Sequence, residues 1–207
     1  MTFVTLQENI ERETVIKKSR FICALRIAET RDEAIEQLTG IKKKHYDASH
    51  NCSAMVIGRA REFEKASDDG EPSGTAGAPM LEVLRKKGVT NILAVVTRYF
   101  GGTLLGAGGL VRAYSGGVAD ALKEARFLEN IPADIVELGI DYADYGKLCQ
   151  VAAEFDIPVE GDFLEKVKAR VVIDKRQTAA FGERLTQAFM GADVFRVSGE
   201  TLLQRKI

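Results

Sequence analysis

Residues 68–116 bring together the groups that could do chemistry. Asp68-Asp69-Gly70-Glu71-Pro72-Ser73-Gly74-Thr75-Ala76-Gly77-Ala78-Pro79 places three carboxylates within four residues, beside a turn that carries two hydroxyls. Oxygens so spaced suit a hard cation or general acid–base work. They equally suit a loop leading into a helix, where carboxylates accept hydrogen bonds from free backbone N–H groups, and this second reading is preferred. Ser73 and Thr75 have no base at a recognisable spacing, so no nucleophile and no catalytic residue is assigned.

The second constellation is Arg98-Tyr99-Phe100-Gly101-Gly102-Thr103-Leu104-Leu105-Gly106-Ala107-Gly108-Gly109-Leu110-Val111-Arg112, continuing to Tyr114. It falls between a strong strand pattern and a strong helix pattern. A glycine loop there can turn several N–H groups toward an anion at the positive end of the helix dipole. Arg98 and Arg112 would supply charge, and Tyr99 or Tyr114 a stacking surface. The loop has no Lys-Ser/Thr pair of a P-loop, and Val111 stands where a dinucleotide fingerprint needs its third glycine. Anion contact and a purely structural turn both stay open on this spacing. Eleven of the 19 glycines lie between Gly70 and Gly117, a density that implies positive φ or close backbone approach.

Elsewhere the soft ligands are sparse. His50-Asn51-Cys52, with His45 nearby, lacks helical spacing and further ligands, so no metal is expected there. Cys23, Cys52 and Cys149 form no Cys-x-x-Cys pair and read as small buried hydrophobes. No cofactor is called for. The net charge of −1 gives no global pull toward phosphates or anionic membranes, so nucleic-acid contact would have to be local. The basic runs at 42–44 and 85–87 read as solvated helix ends. No stretch of about 18 apolar residues and no secretory signal is present, which reads as a soluble, cytoplasmic protein with no membrane partner.

The elements that must position these residues follow from periodicity. Residues 15–27 read as one extended segment. Thr30-Arg31-Asp32-Glu33 has the spacing of a capping box and opens a helix with Ala34, Leu38 and Ile41 on its apolar stripe. A strand over 51–57 and a hairpin partner over 62–66 precede a short helix over 79–87, which Gly88 stops. Residues 91–100 contain Ile92-Leu93-Ala94-Val95-Val96, the run of a strand covered on both faces. The long helix after the glycine loop carries Gly116-Gly117, read as a site of tight packing. Ile131-Pro132 breaks the pattern. Beyond it come a strand (135–142), a helix (144–155), two strands around Gly161-Asp162 (159–174), a helix (178–190) and a strand (194–203). That β-α-β-β-α-β order closes as a ferredoxin-like sheet with both helices on one face. The expectation is an α+β protein of two domains, residues 1–132 and 133–207.

The two long motifs, together with Lys18-Ser19-Arg20-Phe21-Ile22 and His50-Asn51-Cys52-Ser53-Ala54, resemble the signature of the IMPACT family, and the whole chain resembles its bacterial YigZ/YvyE group. The resemblance implies an N-terminal domain similar to the second domain of a small-subunit ribosomal protein. It implies a ferredoxin-like C-terminal domain similar to the last domain of elongation factor G. The resemblance also implies that eukaryotic members regulate translation by competing for an activator of a stress-responsive initiation-factor kinase; their additional N-terminal region is not expected here, so that partner does not carry over. What carries over is a translation-associated module that contacts RNA or the ribosome, with a protein partner also open. The expected contact surface centres on Arg98, Gly101, Gly102, Gly106, Gly108, Gly109 and Arg112. The alternative is an enzyme acting on a phosphorylated or carboxylated small molecule where the two motifs meet.

Overall fold

A computed structural model describes residues 1–192 and 194–207. The chain divides into two compact units, Met1–Glu129 with Lys206–Ile207, and Asn130–Arg205.

The first unit contains β1 (Phe3–Leu6), β2 (Ile10–Ile16), β3 (Ser19–Ile27), α1 (Arg31–Lys44), β4 (His50–Ile57), β5 (Phe63–Ser67), α2 (Gly77–Lys87), β6 (Ile92–Tyr99) and α3 (Ala107–Glu124). Its sheet has the order β2-β3-β6-β4-β5, with every pair antiparallel. β6 is central and buried along both faces, as its unbroken apolar run requires. Alternate residues serve two cores. Ile92, Ala94 and Val96 meet Met80 and Leu84 of α2 and Leu110, Tyr114 and Val118 of α3. Leu93 and Val95 meet Ala34 and Ile41 of α1 on the opposite face. The Thr30 hydroxyl accepts the Glu33 N–H at 3.2 Å and so starts α1, while Gly88, at φ +75°, ends α2.

Two expectations for this region are revised. Residues 15–27 are not one segment: β2 and β3 form a hairpin whose turn is Lys17-Lys18, at φ +46° and +67°. Two consecutive positive φ values normally call for Asn-Gly, so a Lys-Lys pair carries no turn signal in the sequence. Gly116 and Gly117 are not tightly packed either. An added Cβ at Gly116 would meet nothing within 4 Å, and one at Gly117 only Cys23 Cβ at 4.0 Å. Most of the rest of the glycine cluster is as its density implied: Gly70, Gly74, Gly88, Gly102 and Gly106 have positive φ, and an added Cβ at Gly77 or Gly101 would overlap neighbouring backbone.

The second unit contains most of β7 (Phe127–Ile140), then α4 (Tyr145–Ala153), β8 (Glu160–Phe163), β9 (Val167–Asp174), α5 (Thr178–Ala188) and β10 (Phe195–Lys206). β10 pairs with β7 in the order β10-β7-β9-β8, the ferredoxin-like arrangement. Val136, Leu138 and Ile140 alternate with outward residues and meet Leu148 and Val151 of α4 and Phe181 and Leu185 of α5, so both helices cover one face. Two local readings change. Pro132 lies within β7 and does not end the pattern, because its carbonyl accepts the Lys175 N–H just where the β7–β9 ladder begins, and that role needs no N–H. Gly161-Asp162 lie inside β8, opposite Ala169 and Lys168, and the turn falls at 164–166.

Candidate functional site

The register of the central strands builds the site. Phe21 of β3, Arg98 of β6 and His50 of β4 are direct cross-strand partners, so the three form a row at one end of the sheet. They share the parity of Val96 and Cys52 and therefore belong to the face covered by α2 and α3. Above the row stand Tyr114 of α3 and Glu71 of the loop before α2.

Arg98 is only 5% exposed. Its Nη1 donates to Glu71 Oε1 at 2.7 Å, and the Tyr114 hydroxyl donates to the same oxygen at 2.6 Å. The guanidinium lies 5.4 Å from the ring centres of both Phe21 and Phe100. His50 Nδ1 bonds the Asp69 carbonyl at 2.9 Å. A carbonyl only accepts, so Nδ1 carries the proton, and Nε2 lies 3.9 Å from Glu71 Oε2. Burial pushes the Tyr114 phenol well above its ordinary value, with Cys52 and Glu71 adding to the shift. The same cause pushes the Cys52 thiol up to about 12, and its Sγ donates to the Asp68 carbonyl at 2.9 Å. That thiol is not a nucleophile at neutral pH.

The three carboxylates of the first motif do not converge. Asp68 accepts N–H bonds from Gly74, Ala76 and Gly77 at 2.8, 3.0 and 2.8 Å, closing the N-terminus of α2 as the helix-leading reading expected. Asp69 accepts the Asn51 N–H at 2.7 Å and pairs with Lys42 at 2.5 Å. Glu71 turns inward to Arg98. Among the described residues no group of His, Cys, Asp and Glu is arranged to hold a metal ion. Ser73 is exposed, and the Thr75 hydroxyl donates to the Pro72 carbonyl at 2.6 Å.

Burial of Asp68 tends to raise its pKa, but its three N–H donors outweigh that and hold the carboxyl below the ordinary value of 3.8. Asp68→Ala should therefore lower stability by about 2 kcal/mol at neutral pH. A carboxyl whose folded pKa is depressed stabilises above its unfolded pKa and loses that contribution as pH falls through the folded one. The deficit of the variant should narrow below pH 3.8, and urea unfolding on both sides of that value checks it. Equal deficits on the two sides would remove the charge from the explanation.

In the second motif the residues separate by face. Tyr99 points away from Arg98: its hydroxyl donates to Asp47 at 3.2 Å, His45 Nδ1 lies 2.9 Å from it, and Arg20 covers its ring at 5.1 Å. Tyr114, 0% exposed, has no face open for stacking on a base, which corrects the role expected of it. Arg98 likewise is not a surface cation, because Glu71 already neutralises it in a buried pair. Gly101 lies against the backbone of Lys18, and its N–H donates to the Ser19 hydroxyl at 3.1 Å. Gly102, Gly106, Gly108 and Arg112 are exposed, and Gly109 faces Leu105.

What the structure does bring together is a cleft of about 350 Å³ between the motifs. His50, Gly70 and Glu71 line one side, Gly106, Ala107 and Leu110 the other, with Arg98 between them. Phe100, Leu104 and Pro72 also line it. Phe21, Phe100 and Leu104 were not singled out by sequence reasoning. Only the strand register could have placed Phe21 beside Arg98.

Fold and cleft define a two-domain α+β protein whose first domain joins an acidic turn to a glycine loop through a buried Arg–Glu pair. The Impact N-terminal domain matches residues 17–122, and a domain of unknown function, DUF1949, matches residues 138–192. The chain is 42% identical over 207 residues to the IMPACT family member YvyE of Bacillus subtilis, covering 100% of this chain and 95% of that protein. It is 37% identical over 180 residues to the IMPACT family member YigZ of Escherichia coli, covering 86% and 88%. A crystal structure of a hypothetical protein matches with a TM-score of 0.63 and 34% identity, over 98% of this chain and 96% of that one. The chain belongs to the IMPACT family.

Proposed function

We propose that this protein is a cytoplasmic, translation-associated regulator that contacts RNA or the ribosome through the exposed rim of its glycine loop. Membership of the IMPACT family carries the reading, since the resemblance ties eukaryotic members to the regulation of translation. Burial of Arg98 moves the proposed contact outward. Arg112 on α3 is exposed, and so are Lys17 and Lys18, whose turn packs against Gly101. These three cations, with the open backbone at Gly102, Gly106 and Gly108, form the rim that would meet phosphates. Among the described residues no helix is long and apolar enough to cross a membrane.

The rival, an enzyme on a small anionic substrate, has the concave cleft in its favour. No serine, threonine, cysteine or lysine lines that cleft, so it presents no side-chain nucleophile of those kinds.

The test is sedimentation of the protein with ribosomal subunits at low and moderate salt, beside Lys17→Asn/Lys18→Asn/Arg112→Gln. Asparagine tolerates the positive φ of the turn, so the variant loses charge without losing the hairpin. The parent should comigrate in a salt-sensitive manner, and the variant should bind more weakly with a salt slope lower by about three. Migration as free protein under every condition would refute ribosome contact. Comigration that the variant keeps in full would refute the rim.

A further inference from the structure

We propose that the cleft between the two motifs binds a small organic monocarboxylate with an apolar body. The inference stands apart from the translation reading, because it rests on the cleft alone. The side chain of Arg98 is 6% exposed and lines the cleft, yet its Nε has no hydrogen-bond partner. A buried guanidinium N–H without an acceptor is rare and marks a place where an acceptor belongs. On the opposite wall α3 begins. Its N-cap is Gly106, which makes no side-chain cap, and its first turn holds no acidic residue. Both Gly106 and Ala107 line the cleft, so the positive end of an 18-residue helix opens onto the same space as Arg98.

Charge selects the class of anion. Glu71 lies 2.7 Å from Arg98 and cancels its formal charge. What remains is the unpartnered Nε–H and the partial charge of a helix terminus. That suits a single carboxylate and disfavours a phosphate dianion, which would meet the Glu71 carboxylate uncompensated. The walls select the rest of the ligand. Leu105 and Leu110 line the interior, while Pro72 is exposed and Phe100 and Leu104 stand 49% and 81% exposed at the mouth. Large apolar side chains left open beside a polar floor are the usual make-up of a small-molecule site, and about 350 Å³ is at the small end of that class. A branched acid of a few carbons fits within it.

The probe is 4-methylpentanoate, titrated into the full-length, nitrogen-15-labelled protein. Its amide and inorganic phosphate serve as matched controls. The acid should shift the Ala107 and Gly108 amides and the Arg98 Nε resonance saturably, with a Kd of about 1 mM. The amide and phosphate should bind at least about tenfold more weakly. Ala107→Asp places a carboxylate at an exposed first-turn position that favours the helix, so it should fold normally and weaken the acid at least about tenfold. Equal affinity for acid and amide would reduce the cleft to a greasy groove and overturn the proposal. Phosphate outcompeting the acid, shifts confined to other residues, no saturable shift, or full binding by Ala107→Asp would each overturn it too.

Discussion

Glu71→Leu should destabilise the first domain by about 3–5 kcal/mol, among the largest losses expected from a single change in this chain. The residue is 7% exposed, and its Oε1 takes both the Arg98 Nη1 and the Tyr114 hydroxyl. Removing it leaves a guanidinium in a site with almost no access to water, along with a buried phenol that has lost its acceptor. A well-packed leucine does not offset that. The cost belongs to the unpaired charge more than to the pair, so Glu71→Leu with Arg98→Met should recover most of it, in a strongly coupled double-mutant cycle. Hydrogen exchange of the β6 amides, followed with urea unfolding, reports on this domain specifically. A loss under about 1 kcal/mol for Glu71→Leu would mean that water or a rearranged side chain reaches Arg98 readily.

Gly101→Ala should cost about 3 kcal/mol or more, the second large effect. A Cβ there would lie 2.1 Å from the Lys18 carbonyl carbon, 2.2 Å from its oxygen and 2.4 Å from the Ser19 nitrogen. All three atoms are backbone of the β2–β3 turn and strand. No rotamer change relieves the overlap, so either the turn or the loop must move, and the bond from the Gly101 N–H to Ser19 is lost with it. Gly102 supplies the comparison. Its φ is +80° and an added Cβ meets nothing within 4 Å, so Gly102→Ala carries only the conformational cost, about 1 kcal/mol. Thermal unfolding of the two variants separates close approach from backbone freedom. Equal losses would show that the loop shifts away from Lys18 without penalty.

Much of the scaffold was legible before the structure. The unbroken run Ile92-Leu93-Ala94-Val95-Val96 marked a strand covered on both faces, Thr30 and Glu33 marked the start of α1, and the order of elements after residue 132 marked the ferredoxin-like domain. Each is a local pattern whose physical cause lies within a few residues of itself. The Lys17-Lys18 turn was not legible, because neighbouring structure holds two lysines at backbone angles their own chemistry disfavours. Nor was the end of the β8–β9 hairpin, where glycine sits inside a strand and the turn does not need it.

For the candidate site, the sequence by itself determined which two segments matter and that their glycines and charges are unusual. It could not determine which charges face water. Arg98 and Arg112 are alike as residues, and only the pairing of β3, β6 and β4 sends one beneath α3 against Glu71 and leaves the other outside. Asp68, Asp69 and Glu71 are likewise adjacent in sequence yet bond to a helix terminus, a lysine and a buried arginine. Burial and partnership are properties of chain segments that meet in space from 27 to 46 residues apart, as Glu71 with Arg98 and Asn51 with Thr97 do. That is why composition and spacing identify the motifs, while the cleft, its buried ion pair and the unpartnered Arg98 Nε belong to the tertiary structure alone.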